Sequence, residues 1–455
     1  MSDGLRGPAS EGAGASAADR ASESAPDGPA TTAPDREGES AADRAGESAP
    51  DSPATTTADR AGESAPDGPA TSAADREGGS AADGVAASRR ALAEAPADQI
   101  VERLAETLAK EYGVADLEVF LVDYRLAALV PLLSGAPVTR PGDPAWRSFD
   151  HQVGVSAGRA VYLPVTARGE RIGVLRVSPA PAETAALAEI ATLLAHELQS
   201  AGQGTDRYTI ATRTQRLTLA AEMQWELLPG RSRIRPSFSL AGQLEPAYAV
   251  RGDTFDWAEL DGRLYLTMLN GMGEGMAAAM LSALATHALR NARRAGLSLA
   301  DQAALADQAV FAEHRGAAHV AALMLELDTT TGVVLAVDAG SPRLLRLRGG
   351  AVTDQELEAQ FPLGMFETSE YTPQRFELLT GDRLFVVSDG VFDAPGATGS
   401  YGEASLRRFI RRTTSMAPLQ AVRSLLGDLR AYLSEADLDD DAVAVCVDWN
   451  GPGAH

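Results

Sequence analysis

The sequence predicts an α+β protein, with two folded domains following a disordered tail, and three observations carry this reading. Residues 1–95 are low in complexity, and the repeat they contain holds no large apolar side chain. Residues 96–202 read as helix, strands and helix. Residues 233–451 alternate apolar hairpin strands with several helices. Strands grouped in hairpins, rather than each separated by a helix, argue against a parallel doubly wound sheet.

The tail is built from Ala, Ser, Asp, Glu, Gly, Pro and Thr. "ADRASESAPDGPATTA" starts at Ala18, "ADRAGESAPDSPATTT" at Ala42 and "ADRAGESAPDGPATSA" at Ala58. Stacked copies of such a repeat would bury nothing, so a solenoid is excluded. A segment that cannot offset its ordering entropy stays disordered, and a tether or solubilising tail is the expected use.

From residue 96 the pattern changes. "ADQIVERLAETLAKEYG" places Ile100, Leu104, Leu108 and Tyr112 on one helical face, and Gly113 ends the helix. "DLEVFLVDY" and "LAALVPLL" read as strands, "RAVYLPVTARGERIGVLRVSP" as a hairpin turning at Arg168-Gly169, and "AETAALAEIATLLAHELQS" as a closing helix. Trp146 and His151 are read as core or loop residues rather than pocket walls. Residues 203–232 read as a linker helix, with Ile210, Leu217, Ala221 and Leu228 at roughly helical spacing and Pro229-Gly230 as its stop. Such a helix is a candidate seam for a homodimer.

Bulk properties narrow the function. The 455 residues carry a formal net charge of -23, which argues against nucleic acid and anionic membrane as general partners. Cys446 is the only cysteine, so no internal disulfide exists, and the thiol reads as a buried strand residue. There is no apolar signal core and no run of about 18 apolar residues, so a soluble cytoplasmic protein is expected. Histidines 151, 196, 287, 314, 319 and 455 show no ligand spacing and no pairing with a nucleophile.

Chemistry concentrates in the last domain. Asp253 in "VRGDTFDW", Asn270 in "LNGMGEG", Asp389 in "VVSDGVFD", and Asp440 with Asp441 in "DDDAVAV" each lie beside an apolar run or a glycine. Strands ending this way are expected to converge on one rim. Carboxylates gathered in a cleft repel one another unless cations fill the space. Hard oxygen donors select magnesium or manganese, and two such ions activate water for phosphoryl transfer.

The ordered motifs "PAYAVRGDTFDW", "LNGMGEGMAAAM", "DAGSPRLLRL", "FPLGMF", "LLTGDRLFVVSDGVFDA", "YGEASL" and "DDDAVAV" resemble the PPM (type 2C) metal-dependent protein phosphatases of the bacterial SpoIIE/RsbU-like branch. "AEMQWELLPG" resembles the helix that precedes that domain, and residues 96–202 resemble a GAF-type sensor domain in element order. The resemblance implies an α-β-β-α sandwich of two antiparallel sheets. It also implies two manganese or magnesium ions and hydrolysis of phosphoserine or phosphothreonine, with a phosphorylated anti-sigma-factor antagonist as the usual substrate. It carries the metal aspartates to Asp253, Asp389 and Asp440, and the carbonyl-donating glycine to Gly271.

Two departures matter. The bridging aspartate of the family falls on Asn270, whose amide offers one neutral oxygen; Asp441 is a further metal candidate. Arg251 stands where the family has a small residue. It is expected to share a face with Asp253 and is a candidate for the substrate phosphate. Glu274 in the glycine-rich turn is either a replacement carboxylate or a helix-start residue facing solvent. An active phosphatase and a pseudophosphatase that binds a partner without turnover both remain open.

Overall fold

The computed structural model describes residues 73–247, 250–396, 399–433 and 438–452. The repeats of the tail lie outside the described residues. The last part of the tail does not: Ala73–Glu94 forms a helix, α1. The disordered tail expected through residue 95 is corrected here. Gly84, Val85, Ser88 and Leu92 are buried at helical spacing, and Val85 and Leu92 join the first hydrophobic core. Small residues hid this stripe in a segment whose composition reads as unstructured.

The N-terminal domain continues with α2 (Ile100–Tyr112), β1 (Asp116–Val122), β2 (Leu129–Pro131), α3 (Pro144–His151), β3 (Val155–Ala157), β4 (Ala160–Ala167), β5 (Glu170–Ser178) and α4 (Thr184–Ala201). Its antiparallel sheet has the order β2-β1-β5-β4-β3. One face packs on α1, α2 and α4, through Leu104, Leu108, Val119, Leu163, Leu175, Leu194 and their neighbours. Gly113 closes α2 in the left-handed conformation, where glycine bears no Cβ penalty. Arg168 and Gly169 both take positive φ, making the tight hairpin turn read from the sequence. Trp146 is a core residue, 2% exposed, and its indole donates to the Val138 carbonyl at 2.9 Å.

The linker is not one helix. It breaks into α5 (Arg207–Thr212) and α6 (Leu219–Leu227). Arg213 leaves helical geometry, and Thr218 restarts the chain as an N-cap, its hydroxyl accepting from the Ala221 amide at 3.2 Å. The continuous seam expected for a linker-mediated dimer is therefore interrupted, where the Thr218 hydroxyl caps a new helix instead of letting the first one propagate.

The C-terminal domain holds β6 (Ser232–Ile234), β7 (Phe238–Glu245), β8 (Asp253–Leu260), β9 (Arg263–Gly271), α7 (Gly275–Arg294), α8 (Leu299–His314), β10 (Val320–Asp328), β11 (Val333–Ala339), β12 (Arg343–Arg348), β13 (Ala351–Asp354), β14 (Gln374–Glu377) and β15 (Arg383–Val387). There follow α9 (Asp389–Phe392), the two-residue strands β16 (Pro395–Gly396) and β17 (Gly399–Ser400), α10 (Arg407–Arg412), α11 (Pro418–Tyr432) and β18 (Ala442–Trp449). One sheet runs β14-β11-β10-β9-β8 and the other β13-β12-β15-β18-β7-β6.

Strand alternation builds four layers. Leu384 and Val386 of β15, with Val443, Val445 and Val447 of β18, meet Leu266, Met268, Leu323 and Leu325 between the sheets. The alternate residues Phe385, Val387, Ala444 and Cys446 face α10 and α11. On the far side Leu269, Ala322 and Met324 pack against α7 and α8 through Leu281, Leu289 and Val310. The expected α-β-β-α sandwich is present. Cys446 is buried and free, and burial raises its thiol pKa.

The two domains meet through an apolar cluster, in which Trp146 and Phe149 pack with Ala241 and Leu419, and through a set of polar contacts. The Glu170 carboxylate, at the β4–β5 turn, accepts from the backbone amides of Arg231 and Ser232 at 2.9 and 3.0 Å. Arg423 of α11 pairs with Asp150 at 2.7 Å and lies 4.5 Å from the Trp146 ring centroid. Glu245 pairs with both Arg125 and Arg430. Among the described residues no helix is long and apolar enough to cross a membrane.

Leu92 tests whether α1 belongs to the first core. Leu92→Ala is expected to cost about 2–4 kcal/mol by the lost burial and the cavity left behind, read as an earlier first transition in denaturant. A midpoint unmoved by the substitution would remove α1 from the domain.

Candidate functional site

The cleft forms where two sheets present their ends. Asp253 opens β8 and pairs in register with Asn270 near the end of β9. Asp389 follows Ser388 at the end of β15. Asp440 and Asp441 precede β18, the hydrogen-bonded neighbour of β15. Segments up to about 190 residues apart thus meet at one rim: the Arg251 amide is 2.8 Å from a carboxylate oxygen of Asp441, |i−j| 190. Ser388 ties β15 to β18 there, its hydroxyl donating to the Asp441 carbonyl at 3.1 Å and accepting from the Val443 amide at 3.0 Å.

Two of the three aspartates of the "DDD" run, Asp440 and Asp441, have different tasks. Asp441 is wholly buried. Its carboxylate accepts from the amides of Ala247 (2.8 Å), Arg251 (2.8 Å), Gly252 (3.0 Å) and Asp253 (3.3 Å) and from the Gln224 side-chain amide (2.8 Å). With its oxygens committed to N–H donors, Asp441 is a scaffold for the loop before β8 and is not placed as a metal ligand. Asp440 lines a cavity of about 320 Å³ with Arg251, Asp389, Gly390, Asp393 and Ala394 among its walls. Burial, then the charge of Asp389, pushes Asp440 up to about 6, while the Arg251 charge acts in the opposite direction.

Asp253 carries the strongest electrostatic conflict of the cleft. It is wholly buried, and among the described residues neither carboxylate oxygen has a hydrogen-bond partner. Burial, followed by the charges of Asp389, Asp441 and Asp440, raises its pKa well above the usual carboxylate range. An ionised carboxylate in that position requires a cation.

Asn270 meets part of that demand in another way. Its amide nitrogen donates to both oxygens of Asp389, at 2.8 and 2.7 Å, and reaches the Ser341 hydroxyl at 3.3 Å. A carboxylate at position 270 would repel Asp389; the amide binds it. Burial raises the pKa of Asp389.

Arg251 departs from expectation. It precedes β8, and Gly252 turns the backbone at φ 91°, so the shared strand face with Asp253 is lost. The guanidinium stands at the rim near Asp440, 3.9 Å from Glu274 and 44% exposed. Glu274 occupies the N-cap position of α7 without a side-chain cap bond, and at 69% exposure it faces solvent. Gly271 ends β9 against Gly252; a Cβ on Gly271 would lie 2.3 Å from the Ser282 hydroxyl oxygen, so no side chain fits.

The donor set suits a hard divalent cation. It offers oxygens, carries excess negative charge, and contains a buried carboxylate whose own oxygens lack partners. Asp253, Asp389 and Asp440 are the residues that would hold it. Among the described residues no three His, Cys, Asp or Glu side chains close into a ready ligand group, and the Asn270 amide covers Asp389. The cleft fits a cation without being closed around one. Gln224, Ser341 and Ser282 were not anticipated as parts of this region. Gln224 had a signal: a polar residue on the same helical face as Ala220, Ala221 and Leu227.

The raised pKa of Asp440 has a defined sign. The folded protein holds this proton more tightly than the unfolded chain does. Its contribution to stability is complete below about pH 4 and is lost as pH rises through about 6. Without divalent ions, the thermal midpoint is expected to fall across that window more steeply in the parent than in Asp440→Asn. Manganese should shrink the difference; equal slopes in the two proteins, measured by calorimetry, would contradict the assignment.

Comparison with known proteins places these observations. Residues 260–450 match the family model described as Stage II sporulation protein E (SpoIIE). No curated protein sequence matches this chain. Among solved structures, the RsbU and RsbW domains of a Mycobacterium tuberculosis protein are 23% identical with a TM-score of 0.42, covering 50% of this chain and 64% of that one. The SiaA PP2C domain of Pseudomonas aeruginosa is 19% identical with a TM-score of 0.42, covering 46% and 84%. The phosphatase domain and regulatory fragment of SpoIIE from Bacillus subtilis is 17% identical with a TM-score of 0.38, covering 47% and 64%. Residues 260–450, which supply Asn270, Asp389, Asp440 and most of the sandwich, form a SpoIIE family domain.

Proposed function

We propose that the cleft is a metal-dependent phosphoprotein phosphatase centre acting on phosphoserine or phosphothreonine in a bacterial signalling partner. The partner class is a phosphorylated anti-sigma-factor antagonist. One observation carries the reading: the buried Asp253 carboxylate, with neither oxygen paired, faces Asp389 and Asp440 across a single rim. The SpoIIE domain match and the ordered motifs support it.

A manganese or magnesium ion bound there supplies charge neutralisation and a more acidic water. The chain's own residues do the rest. Arg251 at the mouth is the group suited to hold the substrate phosphate, since a guanidinium offers paired donors to phosphate oxygens. Its contact with Glu274 at 3.9 Å is solvent-exposed and so a weak competitor. Gly252 and Gly271, lacking side chains, let the strand ends lie close against Ala278 and Ser282 of α7. The N-terminal domain, read as a GAF-like sensor, would regulate through the linker.

A second reading has its own observation. The Asn270 amide on both oxygens of Asp389 replaces a charge that the family uses to bridge two ions. Under this reading the domain binds a phosphoprotein without turnover.

One assay separates them. Phosphopeptide hydrolysis by the full chain with manganese is compared with Asp389→Asn and Asn270→Asp. An enzyme predicts measurable parent activity that falls at least about 100-fold in Asp389→Asn, the scale of losing metal-held charge stabilisation. Activity confined to Asn270→Asp would establish the binding-only reading. In an active parent, Arg251→Met is expected to raise KM about tenfold with a smaller change in kcat, the pattern of lost substrate binding.

A further inference from the structure

We propose that Gln224 is a positioning residue, the polar side chain through which the placement of the linker reaches the carboxylate cleft, beside the apolar packing of Ala220 and Ala221 on Val250. The inference rests on the reading of that cleft as the phosphatase centre, and it assigns the point at which regulation enters.

The argument starts from a polar group in an apolar place. Gln224 lies on α6 and is 0% exposed. Its amide nitrogen donates to the Asp441 carboxylate at 2.8 Å and to the Asp253 carbonyl at 3.0 Å. Its amide oxygen is buried without a partner among the described residues. A buried acceptor left unpaired is costly, and Leu or Met would fill the space without that penalty. The side chain is therefore held for its two donor contacts, and both lead to the segment that carries Asp253.

Asp441 amplifies those contacts. The same carboxylate that accepts from Gln224 accepts from the amides of Ala247, Arg251, Gly252 and Asp253. Moving Gln224 shifts the acceptor on which four consecutive-region amides depend. Removing it takes one donor from a buried carboxylate and leaves the loop before β8 less constrained.

The N-terminal domain touches the same helix. Trp225, the next residue, packs against the core between the sheets and meets Tyr124 of the N-terminal domain edge-on with ring centroids 5.4 Å apart. The Arg231 guanidinium lies 5.9 Å from the Trp225 ring centroid and donates to the Asp123 carbonyl at 2.6 Å. Arg290 of α7 also donates to the Leu227 carbonyl at the helix end. Adjacent residues of one short helix are thus gripped by the N-terminal domain and by the cleft. A displacement of Trp225 cannot leave Gln224 in place, because a helix of nine residues moves as a unit.

The test uses the full chain, free of metal, and reads backbone hydrogen exchange. Gln224→Met keeps length and packing and removes both donors; Gln224→Glu keeps shape and presents an acceptor to Asp441. Both are expected to speed exchange at Arg251, Gly252 and Asp253 about tenfold or more, the scale of losing a hydrogen bond to a charged group. Exchange in the central strands β10 and β15 should stay unchanged, and calorimetric titration with manganese alone should show weakened binding. Tyr124→Ala, which leaves Gln224 intact, should raise exchange at the same three amides. Unchanged exchange there in the Gln224 variants overturns the proposal, as does a uniform rise across the domain, which would make Gln224 an ordinary core residue. If the parent lacks phosphatase activity yet the local exchange change appears, the reading of the cleft fails and the positioning role stands. If the parent is active and the exchange is unmoved, the positioning role alone fails.

Discussion

The buried carboxylate of Asp441 holds the cleft in shape. Five N–H groups converge on its two oxygens, four from the chain between residues 247 and 253 and one from Gln224. Removing a charge from water is expensive, and only dense hydrogen bonding offsets it. The density here has a structural consequence. The loop that delivers Asp253 to the rim is fastened to β18 of the opposite sheet, so the two sheets of the sandwich are locked together where their ends carry acids. The interior apolar layer sets the distance between the sheets; Asp441 sets the register of the polar edge.

Electrostatic conflict is the second theme of the site. Asp253, Asp389 and Asp440 all have pKa values raised first by burial and further by neighbouring negative charge. The fold opposes this repulsion in two ways. The Asn270 amide binds Asp389 directly. Arg251 places a positive charge near Asp440. Neither pairs with Asp253, whose oxygens have no hydrogen-bond partner among the described residues. Position 270 therefore carries more weight than an ordinary Asp/Asn exchange. One atom's difference turns a repulsive neighbour of Asp389 into an attractive one, and lowers the cation demand of the whole cleft.

The N-terminal domain is joined to this machinery by an apolar cluster in which Trp146 and Phe149 meet Ala241 of β7 and Leu419 of α11, and by polar contacts with Glu170, Asp150 and Glu245 as the acidic anchors. The linker is broken between Thr212 and Leu219, and two short helices change their relative angle more readily than one long rod.

Much of the fold was legible because it rests on periodicity. The face of α2, the β4–β5 turn and the alternating strands of the sandwich are all local patterns that any packed structure must respect. The candidate acids were legible too, since motif order survives in the letters. α1 was not, because Gly84, Val85 and Ser88 form a stripe of small residues that composition cannot tell from disorder. The linker break was not, because capping by Thr218 competes with propagation by only a small margin. By itself the sequence determined the two-domain α+β organisation and the identity of the residues at the rim. Only tertiary structure decided which neighbour each acid meets. Asp440 turned to the cavity and Asp441 into the protein, Arg251 left the line of Asp253 at Gly252, and Asn270 closed on Asp389. Side-chain direction and hydrogen-bond partnership depend on chain segments far apart in sequence, and no local pattern encodes them.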